Sequence, residues 1–193
     1  MIRAKIKSGG GPTSEPITVQ DVKDQSRIDP DDENPLFADY IVAARQFVEN
    51  ELDRTLLTTT YEGRMDGFPG GGVIEFPRPP LVTVTFIKYV DIAGVLQTVT
   101  STDYVVDLFR PIGRVWPEYL KYWPAARGDR NCVQLEWVAG WATAADIPSA
   151  IRNGIKMLCA HWVLNRVPVG EVMKEIPLTA MDLIRPFSVR LAA

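Results

Sequence analysis

Val73-Ile-Glu-Phe-Pro-Arg-Pro-Pro-Leu-Val-Thr-Val-Thr-Phe-Ile-Lys-Tyr-Val90, continued by Asp91-Ile-Ala-Gly94 and Val95 to Asp107, decides how this 193-residue chain is built. Its apolar residues recur with a period of two, which marks β-strands, whereas the segments on either side repeat every three to four residues, which marks helices. Pro77, Pro79 and Pro80 lack the N–H that a ladder needs, so they confine the entry to a sheet edge or to a crossover between strands. Asp91 to Gly94 is a four-residue connection ending in Gly, as a hairpin between Val82–Val90 and Val95–Val99 requires. Tyr104–Leu108 and Cys132–Val138 add two more strands. Upstream, Thr60, Glu62, Arg64 and Asp66 alternate with Tyr61 and Met65, and a loop from Gly67 to Gly72 predicts a hairpin partner starting at Val73.

Three helices flank this block. Thr18, with Asp21 three positions on, predicts a capping box for a helix to about Arg27. Asp29-Pro-Asp-Asp-Glu33 breaks the chain, and Asn34 with Pro35 suits an N-cap and a first-turn proline. Phe37, Ile41, Ala44, Val48 and Leu52 then form one stripe, widened by Tyr40 and Phe47, with Arg45 and Glu49 on the opposite, wet side. Asp146-Ile-Pro148 opens the third helix, whose face carries Ile151, Ile155, Leu158, Cys159 and Trp162, and Val167–Gly170 ends it.

These patterns predict an α+β protein: a helical core of three helices (residues 17–55 and 146–167), an antiparallel β-subdomain inserted between helices two and three (56–145), and an extended tail (168–193). Residues 1–16, basic and rich in Gly, read as a mobile arm. The tail is punctuated by Pro177 and Pro186, yet Met181, Leu183, Ile184 and Phe187 are too apolar to stay solvated, so it is expected to dock, on another chain if not on its own.

Composition narrows the function. Apolar residues make up 46% and charged residues 23%, as in soluble globular proteins. A net charge of -3 and a pI near 5.3 remove the domain-wide phosphate attraction of a dedicated DNA binder. Met1 to Lys7 lacks the apolar run of a signal peptide, and no stretch of about 18 uncharged apolar residues predicts a membrane span. Cys132 and Cys159 lack close spacing and read as buried thiols.

No catalytic constellation emerges. His161, the single histidine, lies at the shoulder of the third helix and reads as structural. Nucleophile-elbow, phosphate-loop and dinucleotide-binding patterns are all missing. Asp29, Asp31, Asp32 and Glu33 lack the central Gly and terminal Glu of a calcium loop, so neither metal nor cofactor is expected. Trp116, Tyr119, Tyr122 and Trp123, with Trp137 and Trp141 beyond, could form the sheet's own core, a protein interface or a ligand platform for sugars or bases.

The order of several segments carries a resemblance. These are Thr18-Val-Gln-Asp-Val-Lys23, Asp31-Asp-Glu-Asn34, Ala43-Ala-Arg-Gln-Phe-Val-Glu49, Leu56-Leu-Thr58, Phe76-Pro-Arg-Pro-Pro-Leu81, Tyr104-Val-Val-Asp107, His161-Trp-Val-Leu-Asn-Arg166 and Ile176-Pro-Leu-Thr-Ala-Met-Asp-Leu-Ile-Arg-Pro-Phe187. From about residue 17 to residue 190, the chain resembles the head-tail connector (adaptor) family of tailed bacteriophages and gene transfer agents. The resemblance implies a non-enzymatic subunit of a virion or gene-transfer particle. Typically about twelve copies close head to tail into a ring beneath the portal. DNA passes through without specific recognition, and a tail-completion (stopper) protein is received below. It also implies that the tail grips the portal protein, through Met181, Leu183, Ile184, Arg185 and Phe187. Tyr40, Phe47 and Trp116 are the expected contacts between neighbouring subunits. The rival readings are a carbohydrate- or host-recognition module of a phage tail using the Trp116–Trp123 aromatics, and a small hydrolase using His161.

Overall fold

The computed structural model describes residues 2–28, 33–165 and 178–189, and the chain is α+β as its periodicities predict. It divides into two compact units: a β-unit of residues 1–12 and 58–140, and a helical unit of residues 13–57 and 141–193.

In the β-unit, strands β1 (Arg3–Ile6), β2 (Thr59–Met65), β4 (Leu81–Val90), β5 (Leu96–Thr98) and β8 (Val133–Ala139) form one antiparallel sheet ordered β1-β2-β8-β4-β5. A second, three-stranded sheet is ordered β3-β7-β6, with β3 at Ile74–Glu75, β6 at Tyr104–Asp107 and β7 at Arg114–Pro117. The proline segment is thus the crossover from the small sheet to the large one, and Asp91–Gly94 is the β4–β5 turn. Asp91 closes that turn by accepting hydrogen bonds from the backbone N–H groups of Ala93 and Val95, both at 2.9 Å.

The strand starting near Val73 is not the partner of β2. Instead Ile74 faces Val115 on β7, while β2 is filled on both edges by β1 and β8. The expected mobile arm therefore needs correction. Arg3 to Ile6 pair with Arg64 to Tyr61, and Arg3, Lys5 and Lys7 reach Asp66, Glu62 and Glu136 at 3.2, 2.7 and 2.8 Å. The exposed pairs of Arg3 and Lys5 contribute little individually, whereas Lys7 meets a buried Glu136. Order at the arm comes from ladder hydrogen bonds and from Ile2, which packs on the β-unit core.

That core is centred on Trp137, fully buried, stacked on Tyr61 (ring centroids 5.5 Å apart) and met edge-on by Phe76 at 5.3 Å. Gly63 is required beside it: a Cβ there would lie 2.7 Å from the Trp137 ring and 2.8 Å from Ile2, so only Gly lets β2 pass so close.

The helical unit contains α1 (Val19–Ser26), α2 (Asn34–Leu52), α3 (Ser149–Leu164) and α4 (Leu178–Ile184), the last followed by a 3₁₀ turn at Arg185–Phe187. The Thr18 capping box forms as its spacing predicts, with Thr18 Oγ1 accepting from the N–H of Asp21 and the Asp21 carboxylate accepting from the N–H of Thr18. At α2 the N-cap is Glu33, one residue before the expected Asn34, and Pro35 sits in the first turn. Phe37, Ile41, Ala44, Val48 and Leu52 are all buried, as are Ile151, Ile155, Leu158 and Cys159 of α3, and the two stripes share one core.

Arg45 departs from the expected wet face. It is buried, its guanidinium held between Glu15 at 2.7 Å and Glu49 at 2.9 Å. Burial alone would lower its pKa, but the two carboxylates outweigh that and raise it, so the cation is fixed within the fold. The Asp29–Asp32 part of the acidic break and the expected helix end at Val167–Gly170 lie outside the described residues.

Candidate assembly surfaces

The tail is not a bare docking strand over residues 178–189. Ile184 and Ala180 are fully buried in the helical core, and Met181 and Phe187 pack half-buried against it. Gly154 of α3 provides the seat: the position a Cβ would occupy lies 2.6 Å from Ile184 Cγ2 and 3.4 Å from the carbonyl of Ala180. Two polar ties fasten the far end. Val189 N–H donates to Leu52 O at 2.9 Å, and Arg54 Nε donates to Phe187 O at 2.5 Å. The partly buried Arg54 guanidinium, its pKa lowered by burial, also lies 6.0 Å over the Trp141 ring.

Of the five expected portal-docking residues, Leu183 and Arg185 face outward, Met181 and Phe187 are shared between core and surface, and Ile184 is wholly internal. Over these residues the tail docks on its own chain. A shallow cleft of about 320 Å³ remains between Leu52, Met181, Ile184, Arg185 and Ser188. Residues 168–177 and 190–193 of the tail lie outside the described residues.

Tyr40 and Phe47 of α2 are half-exposed and converge on Trp162 of α3, with ring centroids at 6.3 and 6.5 Å. Trp116 is half-exposed on β7, opposite Val105. The aromatic run around it divides by role. Trp123 lies parallel to Phe68 at 4.9 Å and donates its indole N–H to Gly72 O at 2.6 Å, whereas Tyr119 and Tyr122 are 83% and 87% exposed. With Trp137 in the core and Trp123 engaged internally, the six aromatics do not form one open platform. A groove of about 420 Å³ does open above the Phe68–Trp123 stack, bounded by Pro69, Pro117 and Tyr122.

Sequence reasoning passed over the most exposed apolar side chains: Phe109 at 99%, Ile92 at 80% and Leu120 at 77%. Phe109 and Ile92 each sit in a turn between strands, where an apolar residue has no core to reach, and that position was the available signal.

His161 is half-exposed on α3, its Nδ1 3.3 Å from the Asn165 side-chain amide. Among the described residues no group of three or more His, Cys, Asp or Glu side chains could hold a metal. Cys132 and Cys159 are free and buried, and burial pushes the Cys159 thiol up to about 12, far from a reactive thiolate. No helix of the described residues is long and apolar enough to cross a membrane.

Comparison with known proteins agrees with this picture. Residues 16–88, which span α1, α2 and the strands to β4, match the family of phage gp6-like head-tail connector proteins. No curated protein matches the chain. Among solved structures, the chain superposes on a chain from the neck of an empty GTA particle computed with C6 symmetry and on one from the virion of a native gene transfer agent (GTA) particle. TM-scores are 0.74 for both, identities 20% and 21%, and each match covers 100% of this chain and 98% of the other. A chain from the neck of a native GTA particle computed with C12 symmetry follows, with TM-score 0.67 and 22% identity over 93% of this chain and 97% of the other. At these identities the structural likeness is one of fold. Residues 16–88 thus resemble a head-tail connector of the phage gp6-like kind, and the whole chain shares its fold with chains of gene transfer agent particles.

Proposed function

We propose that the chain is a structural head-tail connector subunit, one of a ring of identical copies at the portal vertex of a phage or gene-transfer particle. The observation that carries this reading is the connector-family match over residues 16–88 on a fold that spans a neck chain over 98% of its length. The C6 and C12 symmetry of the neck particles that contain the similar chains favours a ring built on sixfold or twelvefold repetition, and we take twelve copies as its size.

The exposed surfaces support the finer assignments. The portal protein is met by the outward side of the tail, Leu183 and Arg185, with Met181 and Phe187 at its margin. Ile184 supports that segment from inside. Neighbouring subunits meet through the half-exposed aromatics Tyr40, Phe47 and Trp116, which combine apolar area with few rotatable bonds and so suit interface anchors. The stopper protein binds the opposite side of the ring, and DNA passes through without base recognition. The chemistry is non-enzymatic: buried thiols, a lone histidine hydrogen-bonded to Asn165 and an internal cation at Arg45 do mechanical work.

Electron cryo-microscopy of assembled particles, or native mass spectrometry of the chain with the portal protein, tests the reading. The expected result is a ring of this chain bound to the portal. Particles whose portal vertex carries no such ring would overturn it.

A further inference from the structure

We infer that Phe109 of one copy inserts into the Phe68–Trp123 groove of a second copy, making a head-to-tail contact between β-units. The inference rests on the ring reading above and adds a contact between β-units to those of Tyr40, Phe47 and Trp116. Three observations carry it.

The first is a preorganised knob. Phe109 is 99% exposed at the turn between β6 and β7, yet its backbone is fixed: its N–H donates to Asp107 Oδ1 at 2.9 Å, and Arg110 lies 3.8 Å from the same carboxylate. An aromatic ring held out by an Asx-type turn loses little further freedom when it docks. The second is a preformed hole. The groove of about 420 Å³ has an aromatic floor, the parallel Phe68–Trp123 pair pinned by the Trp123–Gly72 hydrogen bond, with Pro117 and Tyr122 as walls. Such a cavity accommodates an aromatic side chain with its neighbours, and a face-on or edge-on ring adds to plain area burial.

The third is placement. Tyr104 faces Pro117 at the groove end of the β6–β7 hairpin, and Asp107 faces Arg114 at the knob end. Three residue steps put roughly 10 Å of strand between them, with the turn beyond, so Phe109 lies at the other end of the hairpin from its own groove. Knob and hole at opposite ends of one hairpin satisfy each other only between copies, and that is the heterologous contact from which closed rings are made. In the sequence, opposite charges follow the two features: Arg110 comes after Phe109, and Glu118 after the groove-lining Pro117.

The test uses particles assembled with the full chain carrying Phe109→Cys and Tyr122→Cys, oxidised and run on a non-reducing gel. A ladder of disulfide-linked multimers is expected from the double variant and from neither single variant, the two native cysteines being buried. In solution, Phe109→Ala should weaken self-association by about 30-fold or more, as loss of a central aromatic anchor does, with an unchanged circular dichroism spectrum. Reconstruction of wild-type particles separates the two readings. A ring whose Phe109 sits in solvent, or against a different particle protein, overturns this contact and leaves the connector reading standing. A portal vertex without the ring overturns both.

Discussion

Gly154→Ala asks directly whether the tail belongs to the fold. On an isolated helix the change stabilises by about 1 kcal/mol, because Gly loses more backbone freedom on folding than Ala. Here the new methyl would stand 2.6 Å from Ile184 Cγ2, well inside contact distance, and 3.4 Å from Ala180 O. Overpacking of that kind costs about 1–3 kcal/mol, so the net change should lie between zero and about 2 kcal/mol of lost stability. Ile184→Ala alone removes a fully buried side chain and should cost about 2–5 kcal/mol. In that background the clash is gone and Gly154→Ala should regain its helix-forming benefit of about 1 kcal/mol.

The two substitutions should therefore couple by about 1–3 kcal/mol, within the range found for residues in contact. Urea unfolding of the four chains, followed by circular dichroism at a helix-sensitive wavelength, measures it. Since the two units could unfold separately, the helical transition is the one to analyse. If Gly154→Ala stabilised both backgrounds equally, with coupling below about 0.5 kcal/mol, α4 would not be seated on α3 in solution, and the reasoning would fail.

Three further outcomes are expected. Arg45→Met leaves Glu15 and Glu49 facing each other without the buried cation and should destabilise by about 3 kcal/mol in urea; a loss below about 1 kcal/mol would show the pairs to be dispensable. Partial burial would raise the Asp21 pKa, but hydrogen bonds from Lys156 at 2.5 Å and from Thr18 hold it down to about 2, against an ordinary 3.8. A depressed carboxylate contributes stability that is fully present above about pH 4 and lost as pH falls towards 2, here about 1 kcal/mol after solvent screening; Asp21→Asn should remove that part of the acid slope, measured by thermal melts between pH 5 and pH 2. Trp123→Phe retains the stack on Phe68 but removes the hydrogen bond to Gly72 O, so it should cost about 1 kcal/mol, and titrated oligosaccharides should leave wild-type tryptophan fluorescence unchanged. Saturable quenching by a sugar would restore the carbohydrate reading.

What was legible in the sequence was local. The Thr18–Asp21 box, the stripe from Phe37 to Leu52 and the Asp91–Gly94 turn each lie within a few residues of their causes, and each stands where its spacing predicts. What was not legible depended on distant partners. Arg3, Lys5 and Lys7 alternate like a strand, but their acids are far off at Asp66, Glu62 and Glu136, so basic composition suggested a loose arm. Arg45 looked solvated because Glu15 lies thirty positions upstream. Ile184 looked available to a partner because the notch at Gly154 that receives it is made by another helix. The candidate contact residues shared this fate: their apolar character could be read, but whether each was still free after folding could not.

That distinction divides the labour of the molecule. Among the described residues, the large apolar side chains left exposed include Leu36, Leu164 and Leu183 in the helical unit, whereas Ile6, Val82, Ile92, Val95, Leu96, Leu108, Phe109, Tyr119, Leu120 and Tyr122 all belong to the β-unit. Scattered apolar residues are ordinary on a protein surface, but a ring as exposed as Phe109 on a fixed turn is a candidate for a partner's surface to cover. The helical unit, closed by its own α4, owes its buried apolar residues to folding and keeps Tyr40, Phe47 and Leu183 at its surface. The β-unit, whose core is complete around Trp137, can give its turns to assembly. Substitutions at Phe109 or Tyr122 should therefore impair particle assembly while leaving the melting behaviour unchanged, and substitutions at Ile184 or Gly154 should do the reverse, altering stability first and assembly only as a consequence.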